Sequence, residues 1–495
     1  MHGASPCCRW RAGRQPALRL RPPEGCGRRC LPGAFVPQSG PAGGAPSLAP
    51  TDILETHWTV GCIRRATIGA ALLVALAAAP LTRGAEREPA TYAQDVEFLL
   101  AELPRRAGHF FAAKGVDWDR VASEFRAAVR NVTNDVQHVR LCQRLVARLH
   151  DGHARLTDLK VTLPDEARGR RWTGPRVHLV VVGGRVYVRQ AFGSAAEQGI
   201  AVGQEVLRVD EVPAREWLDR RVARAADDTG YSTAHQALYA ACHWGLADWE
   251  GTPISFELLT GDRTNTVKLV RRGGPNFAPI GPIFPPTGLQ TLGRQSYGRT
   301  TNGFGYVHLR DVPADLPEQL DTMLAALGDV PGLILDLRAN GGGGCDHAAV
   351  FGRFVPTGET WRQYASAGAR PYAGPMVVIV DAGTRSAGET VAAIFKEDGR
   401  ACVIGDSATA GMSSSKTTLP VPSRLFAVFF SIRSNLGRAN GGRGLEGRGV
   451  PPHEVVPYDP AELVRGVDTQ IRRAGELLQQ GLDRAQVPFE ADRRK

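Results

Sequence analysis

The sequence has no apolar run long enough to cross a membrane: the longest candidate, Ile68 to Leu81, is about 14 residues, short of the ~20 a spanning helix needs. It has few informative cysteines. Five of the nine (Cys7, Cys8, Cys26, Cys30, Cys62) sit near the N-terminus, and Cys142, Cys242, Cys345 and Cys402 are widely spaced without a C-x-x-C. That spacing indicates neither a metal site nor a disulfide framework. The four are expected to be small buried hydrophobes, with a single disulfide left open. No internal repeat is evident. A glycine run at 341–344 lacks the Lys-Ser/Thr of a phosphate loop and the spacing of a dinucleotide fingerprint. Beyond residue 85 there is little excess charge. The first 85 residues hold ten arginines and no lysine against Glu24, Asp52 and Glu55, so the net +10 leaves only about +3 on the rest. A nucleic-acid partner is therefore not indicated, and no cofactor is expected.

What is present is ordinary globular composition, 43% apolar and 22% charged, in a chain long enough for two or three domains. Arg64 and Arg65, the apolar run and the small-residue exit Leu81-Thr82-Arg83-Gly84-Ala85 describe a signal peptide over 57–85. An exported protein, periplasmic or extracellular, with transient membrane proximity, is the expectation. Residues 1–56, rich in Pro, Gly, Arg and Cys without periodicity, read as an unstructured leader or as sequence upstream of the true start.

Residues 91–173 open with helical spacing through Val96, Leu99, Leu100 and Leu103, then Val121, Phe125, Val129, Val139, Leu145 and Leu149. From 174 to 271 short alternating strands predict a β module with a helical insertion over 211–246. A Gly/Pro-rich linker is expected over 272–303. Residues 304–482 alternate strand and helix, with strands at Gly305 to Leu309, Leu333 to Leu337, Met376 to Val380, Cys402 to Ile404 and Leu425 to Ser431, which predicts an α/β sheet covered by helices. Residues 483–495 read as a tail.

Four features carry chemistry. Ser386 follows the Met376 strand and opens a helix, where unpaired N–H groups favour negative charge: the N–H of Ala387 suits an oxyanion and Gly388 permits close approach. The plain alternative is a helix cap, with Glu389 completing an S-x-x-E box. Asp336-Leu337-Arg338-Ala339-Asn340-Gly341-Gly342-Gly343-Gly344 ends a buried strand in a turn whose amides face a ligand, or else is a flexible turn with a structural Asp336–Arg338 pair. His153, in Asp151-Gly152-His153, is a candidate general base or a satisfied structural histidine. Glu446, in a glycine-rich turn, is an active-site acid or a solvated loop acid.

In chain order these run Leu-x-Asp-Gly-His, Gly-Ile-x-x-Gly-x-Glu-Val, Asp-Leu-Arg-x-Asn-Gly-Gly, Thr-x-Ser-Ala-Gly-Glu and Glu-Gly-x-Gly-Val-x-Pro. That order resembles the carboxyl-terminal processing (tail-specific) serine peptidases, particularly the branch that includes the tricorn protease core, over roughly 91–480. The resemblance implies a mixed α/β and β multidomain fold: a helical N-terminal region, a PDZ-like module at 174–271, and a ClpP/crotonase-like α/β catalytic domain. It implies Ser386 as nucleophile, Ala387 and Gly341 or Gly342 as oxyanion donors, His153 as base and Glu446 as supporting acid, with polypeptides as substrates and no metal. The family's other branch uses a lysine base after a Gly-x-x-Thr-x-Gly turn. Here Gly405 to Gly411 is followed by Met412, and Lys416 is the alternative base. The Ser or Thr that precedes the histidine in the tricorn branch is Gly152 here. A non-catalytic binder of an apolar ligand, or a small-molecule esterase or amidase, is the rival reading. Oligomeric state is left open.

Overall fold

Pro89 sits in the first turn of helix α1 (Pro89–Ala107), where a missing N–H costs nothing, and Tyr92, Val96, Leu99 and Leu103 line its buried face. A computed structural model describes residues 88–163, 171–273 and 281–481 of the chain. The expected leader, signal peptide and tail lie outside the described residues. Helices α2 (Trp118–Ala128) and α3 (Asp135–Ala147) start on Asp117 and Asn134, whose side chains accept from Arg120 N and Gln137 N. After α3 the chain turns through Asp151–His153 into strand β1 (Arg155–Thr157).

An antiparallel module follows: β2 (Val177–Val182), β3 (Arg185–Ala191), β4 (Glu205–Val209), β5 (Pro253–Thr260) and β6 (Arg263–Val270), adjacent in that order, with Val212–Pro213 pairing back on β4. The insertion expected over 211–246 is a pair of helices, α4 (Ala214–Asp228) and α5 (Ala234–His243). Val177, Leu179, Val188, Val209, Leu218 and Phe256 form the module's core.

The third layer is a mixed sheet. Strands β7 (Gln290–Leu292) and β8 (Gln295–Arg299) run antiparallel onto β9 (Gly305–His308). From there β10 (Leu333–Asp336), β11 (Met376–Val380) and β12 (Cys402–Gly405) continue in parallel. Helix α6 (Leu316–Leu327) links β9 to β10, and α7 (Ala387–Glu397) links β11 to β12. The stretch expected to be a linker thus contributes two strands. Its polar residues hid them because Gln295 is buried to hydrogen-bond, accepting from Arg310 N and donating to Asp311, rather than to pack.

Strands β13 (Ser414–Pro420) and β14 (Ala427–Ser434) were expected in part as one strand of this sheet. They leave it instead and join β1 in a three-stranded sheet, β1-β14-β13. Leu419, Val428 and Phe430 pack into the core formed by α1 to α3. The helical region that carries His153 is therefore anchored to the catalytic half by about two dozen shared apolar side chains, the dominant stabilising term in such a union. A short strand β15 (Glu454–Val455) closes the sheet beside β12, and α8 (Thr469–Gln479) covers it.

Arg338 is fully buried. It bonds Asp336 on β10, Tyr458, Gln470 and Asp468, the N-cap of α8. The Asp336–Arg338 pair is thus structural: it ties the C-terminal helix under the glycine turn. The cysteines 142, 242, 345 and 402 are all free thiols, and no disulfide joins the described residues. No helix among the described residues is long and apolar enough to cross a membrane.

Candidate active site

Strand β11 delivers the chain into the turn 381–385, which is laced to the glycine turn. Buried Asp381 accepts from the amides of Gly383, Thr384 and Ala339 at 3.0, 3.0 and 2.8 Å. Thr384 Oγ1 donates to Leu337 O at 2.7 Å, and Arg385 N donates to Asn340 O at 3.0 Å. The two loops are thus joined to each other by hydrogen bonds from both sides.

Ser386 is held at φ 55°, ψ −122°, a backbone state costing a non-glycine residue on the order of 1–3 kcal/mol. Glu389 maintains it. One Glu389 oxygen accepts from the amides of Ser386 and Met412 (3.0 and 2.9 Å), the other from Thr409 Oγ1 and Gly411 N (2.6 and 2.7 Å). Burial pushes this carboxyl up, to about 8, against those four donors. Ser386 and Glu389 form a capping box: the serine side chain faces the Glu389 amide, and the Glu389 carboxylate accepts from the Ser386 amide.

Gly342 abuts the serine: a Cβ there would lie 2.7 Å from Ser386 Cβ and 3.2 Å from the Ala387 amide, and its φ of 83° disfavours any side chain. The amides of the turn are mostly spent. Gly341 N donates to Arg310 O, Gly342 N to Asn340 Oδ1 and Gly344 N to Val312 O, at 2.8, 2.8 and 2.7 Å. In this arrangement neither Gly341 nor Gly342 has an amide to offer an oxyanion, contrary to expectation. Among the described residues the amides of Ala387 and Gly343 have no acceptor. Gly388 also has a different purpose from the one expected: a Cβ there would strike the Asn340 side chain that orders the turn.

His153 and Glu446, 293 residues apart in sequence, meet. One ring nitrogen of His153 and one oxygen each of Asp151 and Glu446 lie within 4.8 Å of one another. His153 Nδ1 and Glu446 Oε2 are both buried without a hydrogen-bond partner. Burial drives the His153 pKa down, to about 4, with Asp151 opposing and Lys416, Arg155 and Arg385 assisting; the imidazole is neutral at pH 7. Burial pushes Glu446 up, to about 7, while Lys114 pulls it back. Residues with the chemistry of a cation site do converge here, but Lys114 Nζ already sits 2.7 Å from Glu446 Oε1 in a buried ion pair. That lysine supplies the charge a metal would.

Three participants escaped the sequence reading. Lys114 ends a short helical turn, Phe111–Lys114, far upstream of Glu446. Ser232, just before α5, accepts from Gly152 N and donates to Glu446 Oε1, both at 3.0 Å. A side chain at 152 would collide with Gln236 and the Met412 sulfur, so the hydroxyl next to the histidine comes from Ser232 instead. Asp151 takes the amide of His153 at 2.9 Å and that of Ser431 at 2.7 Å. No local motif marks Lys114 or Ser232, which only the fold brings in; Asp151 lies in the Leu-x-Asp-Gly-His motif, but its bond to Ser431 is set by the fold.

The remaining candidate, Lys416, lies on β13 at a bulge, half-buried, its pKa lowered first by burial and held by Asp151 and Glu446. The Met412 amide is bound to Glu389, and its sulfur, 2.9 Å from Gln236 Nε2, would crowd a Cβ on Gly152. Methionine thus fills the space between the serine's support and the histidine's loop. No hydrogen bond joins His153 to Ser386 among the described residues.

The arrangement is that of a hydrolase working through a serine, and comparison with known proteins gives the class: the chain is a serine peptidase. Residues 303–456 match the model of peptidase family S41. The crystal structure of mature CPAF shares the fold with a TM-score of 0.60 at 14% identity, over 80% of this chain and 99% of that one. Mature CPAF complexed with lactacystin gives 0.57 at 14%, over 79% and 98%. A photosystem II D1 C-terminal processing protease aligns at 19% identity over 77% and 98%, with a TM-score of 0.40 that adds no argument.

Proposed function

We propose that the protein is an exported endopeptidase that cleaves unfolded polypeptides or protein C-termini through an acyl-enzyme on Ser386. The observation that carries this reading is Ser386 itself, raised at a φ of 55° on a helix N-terminus beside the amides of Ala387 and Gly343, which have no acceptor among the described residues. His153 takes the Oγ proton as oxygen attacks the peptide carbonyl, and returns it to the amine as the C–N bond breaks; water then releases the acyl group. Glu446 stabilises the imidazolium, and we assign the oxyanion to the amides of Ala387 and Gly343. His153 is preferred over Lys416 because burial keeps it neutral at pH 7 and its ring lies next to the buried acid Glu446. The antiparallel module is proposed to accept extended peptide along its outer strand β6, in the manner of a PDZ-like domain.

Digestion of denatured casein by the full chain tests the reading. Ser386→Ala is expected to reduce turnover by at least about 1,000-fold; undiminished cleavage would remove Ser386 from the mechanism.

A further inference from the structure

Arg385 immediately precedes the nucleophile, and its guanidinium has been left without a carboxylate. It is half-buried, forms no ion pair or side-chain hydrogen bond among the described residues, and rests 5.7 Å from the ring centroid of Trp244. A buried or half-buried arginine is ordinarily paired, because its desolvation is otherwise uncompensated. The chain contains a fully paired example in Arg338. The acids near Arg385 are committed elsewhere: Glu389 holds four donors and Asp381 holds three amides.

The position is defined from three sides. The Arg385 backbone is fixed to Asn340 O. Its Nη2 would lie 3.9 Å from a Cβ on Gly341, so the fork lies along the glycine turn. Its charge reaches His153, whose protonation it opposes. Trp244 follows α5, whose Tyr239 presses on Gly383 in the same loop. An aromatic face that stacks a guanidinium leaves its edge donors free, and that edge matches a carboxylate in a two-bond geometry.

We propose that Arg385, stacked on Trp244, is the receptor for a substrate carboxylate, so that the enzyme prefers peptides presenting an acidic group beside the bond to be cut. The acid is either an aspartate or glutamate side chain or the free C-terminus. This rests on the reading of Ser386 as nucleophile, but its test does not require turnover.

Three degenerate decapeptide pools are titrated by calorimetry against the full chain carrying Ser386→Ala. One has a central Glu and an amidated end, one a central Gln and a free end, and one a central Gln and an amidated end. One carboxylate pool is expected to bind about tenfold tighter than the neutral pool, and which one does so identifies the source of the acid. Adding Arg385→Gln should bring the ratio to about one, and Arg385→Lys, which keeps charge but loses the fork, to an intermediate value. Equal binding of all three pools, or a ratio that survives Arg385→Gln in a protein with an unchanged melting temperature, would overturn the proposal. Fluorophosphonate labelling of the Ser386 protein separates the two claims: absent labelling refutes the nucleophile, whereas the binding ratio judges Arg385.

Discussion

At the scale of single residues, the active-site acid depends on a partner no motif contains. Lys114 and Glu446 are both essentially inaccessible and 2.7 Å apart. Removing one partner of a buried pair costs about 3–5 kcal/mol, because the other is left charged or forced to protonate. Lys114→Met is therefore expected to destabilise by that order and to move the Glu446 pKa upward from about 7. If ionised Glu446 supports His153, the rising limb of kcat/KM against pH shifts to higher pH in this variant; a limb that stays in place would detach Glu446 from catalysis. At this scale the sequence was legible where chemistry is local. Ser386 and its glutamate lie three residues apart, and the Asn340 turn is contiguous. Lys114 and Ser232 were not legible, because each acts on a group supplied by a distant part of the chain.

At the scale of elements, α5 has a different standing from the one its sequence suggested. It looked like an insertion in a β module; it forms a wall of the site. Thr233 Oγ1 bonds Ala410 O, His235 Nε2 meets Thr409 O at 2.7 Å, and Gln236 reaches Met412. Ser232→Ala would leave the Gly152 amide and one Glu446 oxygen short of a partner, a loss of about 1–3 kcal/mol. A positioning role predicts a fall in kcat of about tenfold or more with KM nearly unchanged and recovery in Ser232→Thr; a change confined to melting temperature would make the serine merely structural. Periodicity found the parallel strands within a residue or so, since Leu333, Ile334 and Leu335, and the whole of Met376–Val380, are apolar and buried on both faces. It missed β7, β8 and β13, which mix polar with apolar residues and show no clean alternation.

At the scale of the whole molecule, buried ionisable groups set the pH range of stability. His453 accepts from Val403 N at 2.9 Å, and burial holds its pKa down at about 4 against an ordinary 6.5. The unfolded chain takes up the proton that the folded one refuses. Its contribution is present above pH 6.5 and is lost as pH falls through about 4, amounting to roughly 1–3 kcal/mol. His153 acts in the same sense. Glu446 is opposite: raised to about 7 from 4.5, its contribution is full below pH 4.5 and lost as pH rises through about 7. Between pH 6.5 and 4 the melting temperature of His453→Gln should therefore fall less, or rise more, than that of the unmodified protein; identical pH profiles would contradict the assignment.

The central claim is that Ser386 is a nucleophile activated by His153, and its rate of reaction with a fluorophosphonate measures this directly. After trypsin the adduct is expected on the peptide Ser386–Lys396, absent in Ser386→Ala and formed at least about 100-fold more slowly in His153→Ala. An adduct elsewhere, or a His153→Ala protein that labels at the full rate while Lys416→Ala does not label, would contradict the account.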